Sequence, residues 1–121
     1  MPLRPRGPYR VVVRRRGKTE KARHDTLDAA LAALETRLRE LAAQQRPHVE
    51  RVFRRDIEPV AQVAARGELR GPGGLQAGID VRGDGSAEAF TGRTSRQVVE
   101  PRPGEDAYAT LARAVRTTAD G

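Results

Sequence analysis

The chain has 121 residues, 23 of them Lys or Arg against 16 Asp or Glu, a formal charge of +7, and no cysteine. That length suits one domain, and a domain of this size buries about two-thirds of its unfolded surface. The missing cysteines exclude a disulfide framework and a thiolate metal site; no apolar run is long enough for a membrane span.

Residues 1–8 contain Pro2, Pro5, Gly7 and Pro8, which fit neither a helix interior nor a central strand, so they read as a flexible basic arm. The start Met1-Pro2-Leu3-Arg4-Pro5-Arg6 carries charge with no apolar segment behind it, and the protein reads as cytoplasmic. Tyr9, Val11 and Val13 then alternate with Arg10, Val12 and Arg14 up to Arg16-Gly17-Lys18, and Thr19 to His24 return as a second strand. This hairpin and the arm hold the charge excess. Residues 1–24 carry nine cations, Arg4, Arg6, Arg10, Arg14, Arg15, Arg16, Lys18, Lys21 and Arg23, against one acid, Glu20. Residues 25–121 carry fourteen cations against fifteen acids. A GC-rich genome would raise arginine everywhere; it would not gather the excess at one end.

Asp25 or Thr26 caps the next element, a helix whose Leu27, Leu31, Leu34, Leu38 and Leu41 recur at four- and three-residue intervals along one stripe. The helix is expected to end near Arg46-Pro47, because the residue before a proline disfavours the α conformation. Val49, Val52, Phe53 and Ile57 keep helical spacing, which suggests a short second helix from Pro47 to Glu58-Pro59, with an extended segment as the alternative.

The period then becomes two. Val63, Ala65, Gly67 and Leu69 alternate with Ala64, Arg66, Glu68 and Arg70, and Gly71-Pro72-Gly73-Gly74 turns the chain. Leu75, Ala77, Ile79 and Val81 alternate with Gln76, Gly78, Asp80 and Arg82 up to Gly83-Asp84-Gly85, and a strand returns from Ser86 to about Thr94. A two-residue loop would set Phe90 opposite Ile79; a three-residue loop would set Ala89 there and turn Phe90 to the other face. The sequence leaves the register open, and an inward Phe90 is the favoured reading. Arg96 to Glu100, with Val98 and Val99, are the candidate for a fourth short strand before Pro101 and Pro103. A last helix is expected with Glu105 and Asp106 in its first turn, Arg113 and Arg116 in its last, and Tyr108, Leu111, Ala112 and Val115 on its apolar face.

The fold class that follows is α+β in two layers: an antiparallel sheet made of the N-terminal hairpin and a three- or four-stranded meander, with two main helices on one face. One domain covers 9–118. Leu, Ile, Val and Phe together number only 24, a thin core that favours burial against a second copy, so a homodimer is expected without commitment to its surface.

Little here suggests catalysis. His24 and His48, the only imidazoles, have no companion, and neither a P-loop lysine nor a GxGxxG stands among the glycines. Asp80 to Ser86 lacks the alternating carboxylates of a calcium loop, and Arg82-Gly83-Asp84 is what a tight turn selects. No catalytic, metal or cofactor residue is assigned, and the chain reads as non-enzymatic.

Two resemblances concern element order. Residues 9–38, a Tyr-Arg-Val-Val-Val strand, a basic turn and Asp-Thr-Leu-Asp-Ala-Ala-Leu, resemble the N-terminal DNA-binding domain of phage-type tyrosine recombinases, in which a small basic sheet precedes a helix. Thr26 to Thr117, helix, meander and helix, is similar in order to double-stranded RNA-binding domains, although Glu105 and Asp106 stand where that family begins its second helix with lysines. Neither is a family assignment. The expected function is binding of nucleic acid or another polyanion through the nine N-terminal cations, whose guanidinium forks suit phosphates. The alternative is a homodimeric structural or protein-interaction module whose charges only protect an edge hairpin.

Overall fold

The computed structural model describes residues 7–52, 63–92 and 95–120, with side chains described over 7–44, 63–92 and 95–117. Tyr9–Arg15 (β1) and Lys18–His24 (β2) pair antiparallel around a two-residue loop, in which Arg16 and Gly17 both take positive φ, 39° and 77°. Such a loop matches the right-handed twist of the strands it joins. Helix α1 spans Leu27–Val52, and Thr26 is its cap: the hydroxyl Oγ1 accepts the Ala29 N–H at 3.1 Å.

The helix does not end at Arg46. It runs through Pro47 to Val52, so the separate short helix expected from Pro47 is this same helix, and the rest of that segment lies outside the described residues. Proline removes one hydrogen bond to the preceding turn. Ala42 to Gln45 before it and His48 to Arg51 after it include no second proline and no glycine, and their bonds carry the helix across.

The remaining elements are Val63–Gly71 (β3), Leu75–Arg82 (β4), Ala87–Thr91 (β5), Gln97–Val98 (β6) and Ala107–Asp120 (α2). All six strands form one antiparallel sheet in the order β2-β1-β3-β4-β5-β6. The two-layer α+β reading holds, with the hairpin's two strands and four in the meander. Helix α1 packs on β1, β2 and β3, and α2 on β4 and β5, both on one face. No helix among the described residues is long and apolar enough to cross a membrane.

The core lies between the layers. Leu34, Leu38 and Leu41 from α1 and Leu111 and Val115 from α2 meet Val11, Val13, Leu69, Ile79 and Val81 of the sheet. Gly67 sets how closely α1 approaches, because a Cβ there would run into the Cδ1 atoms of Leu34 and Leu38. The leucine seam is thus covered by this chain's own sheet.

Three local expectations are corrected. The β4–β5 loop is the three-residue Gly83-Asp84-Gly85, closed by Gly85 N–H to Arg82 C=O at 2.9 Å, with Gly85 at φ 87°. Ile79 therefore pairs with Ala89, and Phe90 points to the face away from the helices. A register shift between Val63 and Ala65 pairs Val63 with Arg82, and Val63 is 43% exposed instead of facing the core. Glu105 and Asp106 precede α2 instead of forming its first turn, while Arg113 and Arg116 lie inside a helix that continues to Asp120.

Those two carboxylates build the start of α2. Asp106 accepts the Ala109 N–H at 2.8 Å as a cap, and that bond, with Arg39 beside it, holds its carboxyl below the usual range. Glu105 receives Arg113 through Nε at 2.9 Å and Nη2 at 3.0 Å, and the Arg102 N–H at 2.8 Å. Arg116 reaches Asp28 and Arg39 reaches Asp106, each at 2.7 Å, so α2 runs antiparallel to the first half of α1 with an ion pair towards each of its own ends.

The Arg113 guanidinium, aided by the Arg102 N–H, lowers the Glu105 carboxyl from 4.5 to about 2. A carboxyl depressed in the folded state stabilises the fold fully above its unfolded value, and that contribution is lost as pH falls from 4.5 towards 2. Urea midpoints across that window should fall more steeply for the wild type than for E105Q. The variant should be the less stable at neutral pH, and the two curves should converge near the acid end.

Candidate polyanion interface

Among the described residues no helix covers the outer face of the sheet, and the register fixes what that face displays. One row runs Lys21, Val12, Glu68, Gly78, Phe90, Val98; a second runs Thr19, Arg14, Arg66, Asp80, Glu88; a third runs Arg23, Arg10, Arg70, Gln76. Arg82 belongs to the same face of β4. Arg96 joins it from the β5–β6 connection, its guanidinium 4.5 Å from the Phe90 ring centre and 3.8 Å from Glu68 Oε1. Eight cations therefore share a surface with three carboxylates.

The sheet partitions the nine cations expected to act together. Arg4 and Arg6 lie outside the described residues. Arg10 and Arg14 on β1, and Lys21 and Arg23 on β2, point outward. Arg15 and Lys18, opposite one another at the turn end, fall on the helix side, where Arg15 Nε lies 3.5 Å from Glu20. Arg16 is at the tip. An open groove of about 520 Å³ reunites part of the set: Arg14, Arg15, Arg16 and Lys18 line it with Arg66, Glu68 and Arg96.

Sequence reasoning missed Arg66, Arg70, Arg82 and Arg96. The signal for the first three was present as alternation, since Arg66, Glu68 and Arg70 of β3 and Gln76, Asp80 and Arg82 of β4 fall between the inward residues. What was missing was the order of strands. β1 pairs with β3, which extends the basic hairpin into the meander as one surface.

The acids on this face are engaged. Arg66 grips Asp80 in a two-pronged pair at 2.6 and 3.2 Å, and that contact raises its pKa further above the ordinary arginine value. Arg82 bonds Glu88 at 2.8 Å. Glu68, with its side chain only 13% exposed, accepts Arg14 at 2.7 Å on Oε1 and Arg70 at 3.0 Å on Oε2. With the three carboxylates so taken up, Lys21, Arg10 and Arg23 have no ion pair among the described residues.

Beneath the charges is apolar material. Val12 is 1% exposed and Phe90 4%, although neither belongs to the core between the layers. The Phe90 ring lies across Gly78, whose absent Cβ leaves it room, with Arg66 and Arg96 over the ring at 5.9 and 4.5 Å. Val12 is flanked by Lys21, Glu68, Arg10 and Arg14, long side chains able to lay their stems over it.

His24 ends β2 on the helix side opposite Tyr9, and its Nε2 is buried without a hydrogen-bond partner; the side chain of His48 lies outside the described residues. A second groove, of about 580 Å³, runs between α1, the β4–β5 turn and the start of α2. Its charges are satisfied locally: Arg39 by Glu35 and Asp106, Asp84 by the N–H and hydroxyl of Ser86. Burial pushes the Tyr108 phenol up, and Arg39 stacks on that ring at 4.5 Å. Among the described residues no group of three or more His, Cys, Asp or Glu is arranged to hold a metal ion. The chain matches no protein-family model, and neither a curated protein nor a solved structure is significantly similar to it.

Phe90 supports the outer face much as a core residue supports a fold. Phe90→Ala should therefore destabilise the protein by about 3 kcal/mol in urea unfolding, although its strand face carries no helix. A loss below about 1 kcal/mol would mean that the arginines close over the gap unaided.

Proposed function

We propose that this protein binds nucleic acid or a similar polyanion through the outer face of its sheet, beginning at the basic N-terminal hairpin, and that it does so without catalysis. The observation that carries this reading is the position of Arg10 and Arg14. Charges on β2, an edge strand, serve to prevent edge-to-edge pairing, which accounts for Lys18, Lys21 and Arg23. β1 is second from the edge and fully paired, so edge protection gives no reason for its outward arginines. Those arginines continue into Arg66 and Arg70 of β3, and a surface of this kind suits a chain of phosphates better than a single small anion.

Binding would be electrostatic and weakly dependent on sequence, with affinity falling steeply as salt displaces the advantage of counterion release. Fluorescence polarisation with labelled DNA and RNA, at two salt concentrations, tests it. Low-salt binding that weakens on combined neutralisation of Arg10, Arg14, Lys21 and Arg23 is expected; no binding at low salt would remove the proposal.

The alternative is a self-associating interaction module. With the leucine seam covered by the sheet, pairing would need another surface, and Val63 and Val98, 43% and 52% exposed, are the large apolar side chains offered among the described residues. Light scattering at micromolar concentration decides this reading: a mass near 26 kDa, about twice the 13.2 kDa chain, supports it, and a mass near 13.2 kDa removes it.

A further inference from the structure

Among the described residues, Glu68 is the one point at which three guanidinium groups converge. Arg14 takes Oε1 at 2.7 Å, Arg70 takes Oε2 at 3.0 Å, and Arg96 stands 3.8 Å from Oε1, too far for a hydrogen bond. One carboxylate offers about four acceptor positions, and three arginines offer up to fifteen N–H donors. The cluster keeps a local excess of positive charge and of donors.

The geometry also holds those donors ready. Arg96 lies over the Phe90 ring at 4.5 Å, and its guanidinium N–H groups make no hydrogen bond among the described residues. Phe90 is itself fixed across Gly78. Glu68 and Arg96 together line two open grooves: the one of about 520 Å³ beside the hairpin turn, and one of about 190 Å³ beside Arg70, Gln76 and Gly92. Glu68 thus stands on the boundary between two open recesses.

The geometry points to a phosphate subsite at Arg14, Arg70 and Arg96, in which Glu68 occupies the place of the ligand's anion when no ligand is bound. The subsite takes a backbone phosphate of double-stranded nucleic acid, which rests on the polyanion reading above and narrows it. Binding draws Arg14 and Arg70 from Glu68 to the phosphate oxygens and adds Arg96, which has no hydrogen bond to Glu68 to give up; Glu68 opposes binding by competing for the same donors and repelling the incoming charge. The duplex is favoured over a single strand by what the face lacks. Single-strand binders stack bases on exposed aromatic rings, and the aromatic described on this face is Phe90, 4% exposed and already covered by arginines.

The test is fluorescence polarisation of a labelled 20-base-pair DNA duplex, and of one of its strands alone, across a salt series. Wild type, E68Q, R96A and a control with Arg16 and Lys18 changed to Ala are compared, with circular-dichroism melting to verify that each is folded. E68Q should bind the duplex several-fold more tightly than wild type. R96A should weaken duplex binding and flatten the slope of log affinity against log salt by about 0.9, the value for one phosphate contact. Unchanged duplex affinity in both E68Q and R96A, alongside a loss in the Arg16 and Lys18 control, would overturn the subsite while leaving polyanion binding intact. Tighter binding of the single strand would overturn the choice of ligand, and no binding by wild type at low salt would overturn both readings. Arg96 also covers Phe90, so R96A is paired with R96M, which keeps the stem and discards the charge: R96M should weaken duplex binding as R96A does, and wild-type affinity in R96M would overturn the subsite even if E68Q proves unstable.

Discussion

The approach of α1 to Gly67 is the constraint on which the arrangement depends. Leu34 and Leu38 sit where a side chain on β3 would otherwise stand, which seats the helix low across β1 and β3 and buries both leucines almost completely. Strand residues alternate between faces, so fixing Gly67 inward fixes Arg66, Glu68 and Arg70 outward. The same contact that completes the core therefore determines which cations the opposite face displays.

A sheet with helices on one side needs a second solution on the other. Here it is a polar layer over a thin apolar floor: Val12 and Phe90 below, arginines and shared carboxylates above. Individual exposed ion pairs contribute little to stability, about 1 kcal/mol or less. Their number is thus a poor reason for so many arginines, and the stems that lie over Phe90 and beside Val12 are a better one. Gly78 has the counterpart role to Gly67, giving room to a ring on the outer face as Gly67 gives room to leucines on the inner one.

Much of this was legible in the sequence because periodicity reports local geometry. The alternation in 9–15, 63–70 and 75–82 and the four-three spacing of the leucines each specify an element and its buried side, and the capping hydroxyl of Thr26 marks where α1 begins. Illegible features depended on a single residue added or tolerated. One extra loop residue, Gly85, reverses the face of Phe90; one bulged residue, Ala64, turns Val63 to solvent; one proline, Pro47, is absorbed by a helix with intact turns on both sides. The basic segment was legible as composition but not as a surface. Which cations face together follows from the β1–β3 pairing, a contact between residues more than fifty positions apart that no local pattern encodes.

That pairing also changes what kind of evidence separates structure from function on this face. Arg66 and Arg96 lie over Phe90, and any phosphate they met would use their N–H groups, so the two roles coexist in one side chain. Truncation to alanine removes both at once. A substitution that keeps the stem and discards the charge, such as arginine to methionine, separates them, since cover depends on volume and polyanion affinity on charge. Glu68 is the informative exception. It supports the arginines by neutralising them, and in any anion complex it would oppose the ligand. At that position a stabilising role and a binding role make opposite demands on the same charge.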